Sequence, residues 1–390
     1  MSEQCPACQS GDHRDFLSLP SMPVSIGVQW PDIETARSCG RGDLQLAYCN
    51  SCGFIWNRSF DESRLEYSQK YDNSLDFSPV FQSYAEGLAD RLIETYSIRG
   101  KRVVELGCGK GHFLSLLCER GENTGIGFDP SYEGERVDSA VAERIEYVQD
   151  FYGEKYTDHP GDLVCCRHVL EHIKNPFDFL ASVRKTVGGN TDTIVYFEVP
   201  NVRLILERLS VWDIIYEHCN YFSRESLVNL FRSAGFEVLR IEETYEKQFL
   251  SIDCRLSSEG ASSQATPEPL NDLSGLVDRF STEMKERIGS WHARLEEFEK
   301  AGKKVAIWGA GAKTVGFVNM LQIGDRIPIA VDINPHKQGL HLAGMGQKIV
   351  SPVQLQSEKP DVVIVMNPIY SGEIKSQLDS MGLTPEIIEA

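Results

Sequence analysis

Between Arg102 and Val199 five short apolar segments recur, at 102–106, 124–128, 145–148, 162–166 and 193–199, with helical patterns between most of them. Each is β-branched or aromatic in character, and strands separated by helix-length connections pair in parallel through right-handed crossovers. Two more segments, 236–242 and 249–255, are joined by a short polar turn with no room for a helix. They read as an antiparallel hairpin closing the sheet. The pattern demands a doubly wound, Rossmann-like α/β sheet.

A chain of 390 residues is too long for one ordinary core, so two or three domains are expected. Residues 1–57 are rich in cysteine, glycine and proline and carry no helical period. A helix is expected over 80–97, where Phe81, Tyr84, Leu88, Leu92 and Tyr96 share a face. The polar stretch 257–273 reads as a linker, followed by an amphipathic helix over 275–301. Its stripe is Leu276, Phe280, Met284, Ile288, Trp291, Leu295 and Phe298. A second strand–turn–helix unit opens at Lys304, with strands at 304–308, 328–332 and 361–365. The expected division is 1–57, a cysteine-rich module; 58–256, the main sheet with leading helices; 257–302, linker and long helix; and 303–390, a smaller Rossmann-like domain.

A net charge of −18 argues against a nucleic-acid partner and against an anionic membrane surface. No run of about 18 apolar residues suggests a transmembrane helix, and the start Met1-Ser-Glu-Gln-Cys-Pro lacks a signal-peptide pattern. The eleven cysteines are an odd number, and Cys165-Cys166 fall inside an apolar strand. Reduced thiols in a cytoplasmic setting are the expectation.

Cys5-x-x-Cys8 and Cys49-x-x-Cys52 form two knuckles separated by forty residues. Two such pairs complete a tetrahedral four-cysteine site for structural zinc, with no position left for catalysis. Gly11 and Gly53 follow the knuckles, where left-handed backbone is often needed. Cys39 is an alternative ligand, and four unrelated buried cysteines are the competing reading, which the paired spacing disfavours.

Val103-Val-Glu105-Leu-Gly107-Cys-Gly109-Lys-Gly111 sits at a strand end and leads into a helix. Such a loop brings backbone amides close to a ligand. By itself it suits any dinucleotide fold. Asp129 ends the next strand, placed to accept both hydroxyls of a ribose. Glu105 tips the balance: a carboxylate there would repel a pyrophosphate but suits the cationic methionine end of S-adenosylmethionine. Asp150 and Phe151 follow the third strand and are candidates to meet the adenine, unless Asp150 is simply a solvated loop acid.

These residues resemble the class I S-adenosylmethionine-dependent methyltransferases, whose sheet also ends in an antiparallel hairpin. Cys166-Arg-His168-Val-Leu-Glu171-His172 resembles their fourth motif, which implies that His168 lines the methionine side of the cofactor. His172 reads better as a hydrogen-bonded packing residue. The whole architecture is similar to the zinc-containing sugar C-methyltransferases, which act on nucleotide-linked keto-deoxysugars. The resemblance implies a catalytic loop at Tyr216-Glu217-His218, although Ile215 stands where that family has tyrosine, and Tyr71-Asp-Asn-Ser-Leu also departs from it.

That loop follows the fifth strand and precedes a helix that Ser223 can cap and Gly235 can end. Ligands of open α/β sheets lie at the carboxyl ends of strands. His218 therefore suits the base that removes an α-proton, Glu217 an orienting or hydroxyl-binding group, and Tyr216 a donor to the enolate oxygen. The competing reading is an ordinary helix-capping loop. In the last domain, Gly309-Ala-Gly311-Ala-Lys313 and Asp332 look like a second fingerprint, with Thr314 at the third glycine position. A support for the nucleotide-sugar side or an interface is expected there, ahead of NAD binding. O-methylation of a sugar or secondary metabolite, and a non-catalytic binding module, are the rival functions.

Overall fold

The computed structural model describes residues 4–65, 75–132, 141–257 and 268–390. Tyr71–Ser74 and the linker residues 258–267 lie outside the described residues.

The cysteine-rich module folds as an antiparallel sheet, which the sequence pattern did not announce. Strands β1 (His13–Pro23), β2 (Arg41–Cys49) and β3 (Ile55–Asn57) pair in order, and a two-residue strand from the later chain, Asn220–Tyr221, completes it. Leu17, Leu19, Leu44 and Leu46 point inward at two-residue spacing. Register shifts between Asp15 and Leu17 and between Leu19 and Met22 break the alternation in β1.

Ser78 caps the helix Pro79–Tyr96, and proline fits its first turn. Phe81, Leu88 and Leu92 are buried, as their spacing requires.

The main sheet has seven strands: β4 (Arg102–Leu106), β5 (Thr124–Phe128), β6 (Ile145–Val148), β7 (Leu163–Arg167), β8 (Ile194–Pro200), β10 (Phe236–Thr244) and β11 (Phe249–Leu256), with β9 (Asn220–Tyr221) given to the first sheet. Their order is β10-β11-β8-β7-β4-β5-β6. Strands β4 to β8 run parallel, and β11 pairs antiparallel with both β8 and β10. This is the expected sheet, to within two residues at each end.

The helix Leu273–Lys300 buries Phe280, Met284, Trp291, Leu295 and Phe298, while Leu276 and Ile288 are partly covered. One apolar cluster holds these side chains together with Leu17 and Leu44 of the first sheet, Trp212, and Ile307 and Val362 of the last sheet. The helix thus serves as shared core between the parts. The last sheet is fully parallel, with β12 (Val305–Trp308), β13 (Ile329–Val331), β14 (Lys348–Val350), β15 (Val362–Val365) and β16 (Glu386–Glu389) in the order β14-β13-β12-β15-β16. Strands β14 and β16 add to the three that were expected. Among the described residues no helix is long and apolar enough to cross a membrane.

Candidate active site

At the end of β4 the chain turns through Gly107, Gly109 and Gly111, all left-handed, before the helix His112–Gly121. A Cβ on Gly107 would stand 2.2 Å from the Val169 side chain, so only glycine fits. A Cβ on Gly109 would meet nothing within 4 Å. It would project into open space above the loop, which glycine keeps clear for a ligand. The Gly109 N–H donates to Asp129 Oδ2 at 2.8 Å, and Ser131 N–H and Oγ donate to Asp129 Oδ1 at 2.7 Å. Asp129 therefore fastens the loop and still faces the cavity.

Glu105 is 3% exposed, and its Oε2 is buried with no partner. Burial lifts its pKa to about 8, against the pull of Arg167. An orphaned carboxylate oxygen on the cavity wall suits the cationic end of S-adenosylmethionine. Phe151 is 59% exposed at the same cavity, where an aromatic face can stack on a base. Asp150 is more committed: it accepts from the Phe151 N–H at 2.8 Å, the Tyr156 hydroxyl at 2.7 Å and the Lys155 ammonium.

His168 has left-handed backbone and lies 3.1 Å from Glu198 and 3.7 Å from Glu171. Burial alone would discharge it, but the two carboxylates outweigh burial and raise its pKa to about 9. A group that sequence reasoning missed stands behind it. Arg167 and Glu198 are register partners on β7 and β8, bonded at 2.9 and 3.0 Å and almost fully buried. Tyr84 and Tyr196 also donate to Glu198. Their signal was available as charged residues closing two apolar strands.

Of the three candidate catalytic residues, only His218 lines the cavity. Tyr216 is 1% exposed and its hydroxyl accepts from the Asp61 N–H at 2.9 Å. Glu217 is also 1% exposed, and its Oε1 accepts from the N–H groups of Ile26 and Gly27 at 2.6 and 3.2 Å. Both side chains are engaged in holding the N-terminal part of the chain, and neither lines the cavity. His218 meets His172 edge to face, ring centroids 4.9 Å apart. His172 Nδ1 bonds to the Glu217 carbonyl at 3.0 Å, consistent with the packing role read for it. Burial, then the neighbouring His172, hold His218 neutral with a pKa of about 3. Ser223 caps the helix Arg224–Ser233 through its own hydroxyl, so Glu217 and His218 are not the cap.

The second glycine loop repeats the device of the first. Ala310 N–H donates to Asp332 Oδ2 at 2.8 Å and Asn334 N–H to Asp332 Oδ1 at 2.8 Å. Residues 309–314 and Lys337 line the same cavity as the first loop. Its volume is about 1510 Å³, above the roughly 300–1,000 Å³ of a typical single-ligand site. Two ligands can share it.

Away from the cavity, Cys5, Cys8, Cys49 and Cys52 bring their sulfurs within 4.8 Å of one another. The Cys5–Cys52 and Cys8–Cys49 separations are 3.7 and 3.6 Å. Tetrahedral zinc with bonds near 2.3 Å would set its sulfurs about 3.8 Å apart. The donor set fits that ion, and Cys39 lies outside the cluster. Gly53 is left-handed as expected, but in the first knuckle that conformation belongs to Gln9 and not to Gly11.

A parallel sheet closed by a hairpin, with a glycine cradle, a second-strand acid and an orphaned Glu105 at its carboxyl edge, defines a class I methyltransferase fold. Residues 81–241 match the family model for a methyltransferase domain, and residues 264–383 match the model for a C-methyltransferase C-terminal domain. Together these matches support a class I S-adenosylmethionine-dependent methyltransferase. A ubiquinone biosynthesis O-methyltransferase from Aliivibrio fischeri is 29% identical over 142 residues, 34% of this chain and 58% of that protein. One from Neisseria meningitidis is 30% identical over 135 residues, 32% of this chain and 52% of that protein. The chain thus spans about half the length of the curated relatives it matches. Among solved structures, magnesium protoporphyrin IX methyltransferase from Synechocystis with bound SAH is 13% identical at a TM-score of 0.37, covering 46% of this chain and 84% of that one. The PH0226 protein of Pyrococcus horikoshii is 16% identical at a TM-score of 0.39, covering 49% and 100%.

Proposed function

We propose that the chain is a C-methyltransferase for a keto-sugar carried on a nucleoside diphosphate. The observation that carries this reading is one cavity walled by both glycine loops and by His218. One loop suits the methyl donor, and the other suits the nucleotide end of the acceptor. The match of residues 264–383 to a C-methyltransferase C-terminal domain supports the carbon as the methylated atom.

S-adenosylmethionine, when bound, supplies an electrophilic methyl group. Gly107, Gly109 and Asp129 hold it at the loop, with Glu105 and His168 on its methionine side and Phe151 against the adenine. His218 is the base: its ring lines the cavity and accepts the α-proton of the keto-sugar, leaving an enolate whose carbon would then take the methyl. Glu217 acts as a positioning residue, because its carbonyl holds His172 against His218 and its carboxylate anchors Ile26 and Gly27. The four-cysteine cluster holds structural zinc, and the setting is cytoplasmic.

The curated relatives favour a second reading, transfer to a hydroxyl oxygen. Heavy water separates the two. With S-adenosylhomocysteine in place of the methyl donor, a C-methyltransferase exchanges the α-proton of a nucleotide-linked keto-sugar, and His218→Ala abolishes that exchange. No exchange in the wild-type protein, together with methyl transfer to a hydroxyl, would overturn carbon transfer. Exchange undiminished in His218→Ala would move the base elsewhere.

A further inference from the structure

The base belongs to a cluster whose metal-ligating capacity the methyl transfer does not use. Ligand atoms of Glu171, His172 and His218 lie within 4.8 Å of one another, and all three residues line the cavity. Glu171 is 2% exposed; its Oε1 faces His168 at 3.7 Å, while its Oε2 is buried with no hydrogen-bond partner. A buried carboxylate oxygen left without a partner is costly unless a cation or donor meets it.

The two imidazoles are arranged as ligands usually are. His172 Nδ1 bonds to the Glu217 carbonyl at 3.0 Å, so the donor hydrogen is on Nδ1 and the lone pair on Nε2. Metal-bound histidines commonly carry such an outer bond to a carbonyl, which fixes the tautomer and the ring plane. His218 stands edge-on to His172 with ring centroids 4.9 Å apart. Ligands around a tetrahedral ion with bonds of about 2.0–2.1 Å are about 3.4 Å apart, so closure needs side-chain shifts of about an ångström.

We propose that Glu171, His172 and His218 form a second metal site, for one divalent transition ion, whose occupancy takes His218 out of proton transfer. Two imidazoles and a carboxylate suit zinc, cobalt or nickel better than magnesium or calcium. Three protein ligands leave a position open toward the cavity. The blocking effect rests on His218 being the base, whereas the site itself does not.

The test uses full-length protein with its four-cysteine site loaded with zinc. Added Co²⁺ should bind as one further equivalent per chain. Its spectrum should show visible d–d bands without the thiolate charge-transfer bands of a cysteine site. Glu171→Gln and His172→Ala, checked for an unchanged unfolding midpoint, should each weaken that binding by more than about 10-fold, the lower end seen when outer partners are lost. Methyl transfer should fall in step with Co²⁺ occupancy and return on chelation. No second equivalent, or one retained in both variants, overturns the site and leaves His218 as base untouched. Binding that leaves turnover unchanged or raises it overturns the blocking and, with it, the assignment of His218 as base.

Discussion

Asp129 and Asp332 close their glycine loops in the same way: each accepts a loop N–H at 2.8 Å through Oδ2 and a second backbone N–H two residues on through Oδ1. The two loops thus present equivalent cradles to one cavity. Asp129→Ala should weaken S-adenosylmethionine binding by about 2 kcal/mol, as expected for losing charge-assisted hydrogen bonds and a fixed loop. Asp332→Ala should leave that binding unchanged while raising KM for the acceptor. Calorimetry with the methyl donor alone separates the two, and equal losses in both variants would reject the division of labour.

In the proposed cofactor site, Glu105 should make binding sensitive to pH. Its pKa of about 8 lies above the ordinary 4.5 because burial disfavours the charged form. The folded protein therefore binds a proton that the unfolded chain has lost between about pH 4.5 and 8, and this contribution to stability falls as pH rises through that window. Affinity for a cationic cofactor moves the other way, since the ionised carboxylate attracts it. Binding should strengthen from pH 7 to pH 9 in the wild-type protein and lose that increment in Glu105→Gln. Parallel pH profiles for the two proteins would remove Glu105 from the site.

The cluster of Cys5, Cys8, Cys49 and Cys52 should hold about one zinc per chain. Cys49 ends β2, so a metal there ties the first sheet to the Cys5 knuckle. Cys49→Ser should lower the unfolding temperature and reduce zinc content together, because a closed site contributes folding free energy. Metal-free protein with an unchanged melting temperature would exclude a structural role.

What could be read from the sequence was whatever is local. The strand–glycine–helix turn at 103–111 and the acid at Asp129 lie within one βαβ unit, so their spacing carried their geometry. The first sheet was hidden because bulges in β1 interrupt its alternation, and Ser21 sits there in left-handed backbone. Strand β14 has three residues and β16 begins and ends in glutamate, too short or too polar to register as apolar segments. The direction of Tyr216 and Glu217 was set by contacts with Asp61, Ile26 and Gly27, about 155 to 191 residues away in the chain. No local pattern encodes such a choice.

The Arg167–Glu198 pair joins neighbouring strands across 31 residues of chain, and its removal gives the sharpest stability test. Glu198 is fully buried; despite burial, Arg167 and His168 hold its carboxyl well below the usual range. Glu198→Gln would leave the Arg167 guanidinium buried without its counter-charge, and loss of one partner of a buried pair typically costs about 3–5 kcal/mol. Replacing both as Arg167→Met with Glu198→Gln should recover much of that cost, since no unpaired charge would remain. A urea-unfolding double-mutant cycle measures the difference directly. If Glu198→Gln alone is as stable as the wild-type protein, the pair does not hold the carboxyl edges of β7 and β8 together, and His168 must be positioned by Glu171 instead.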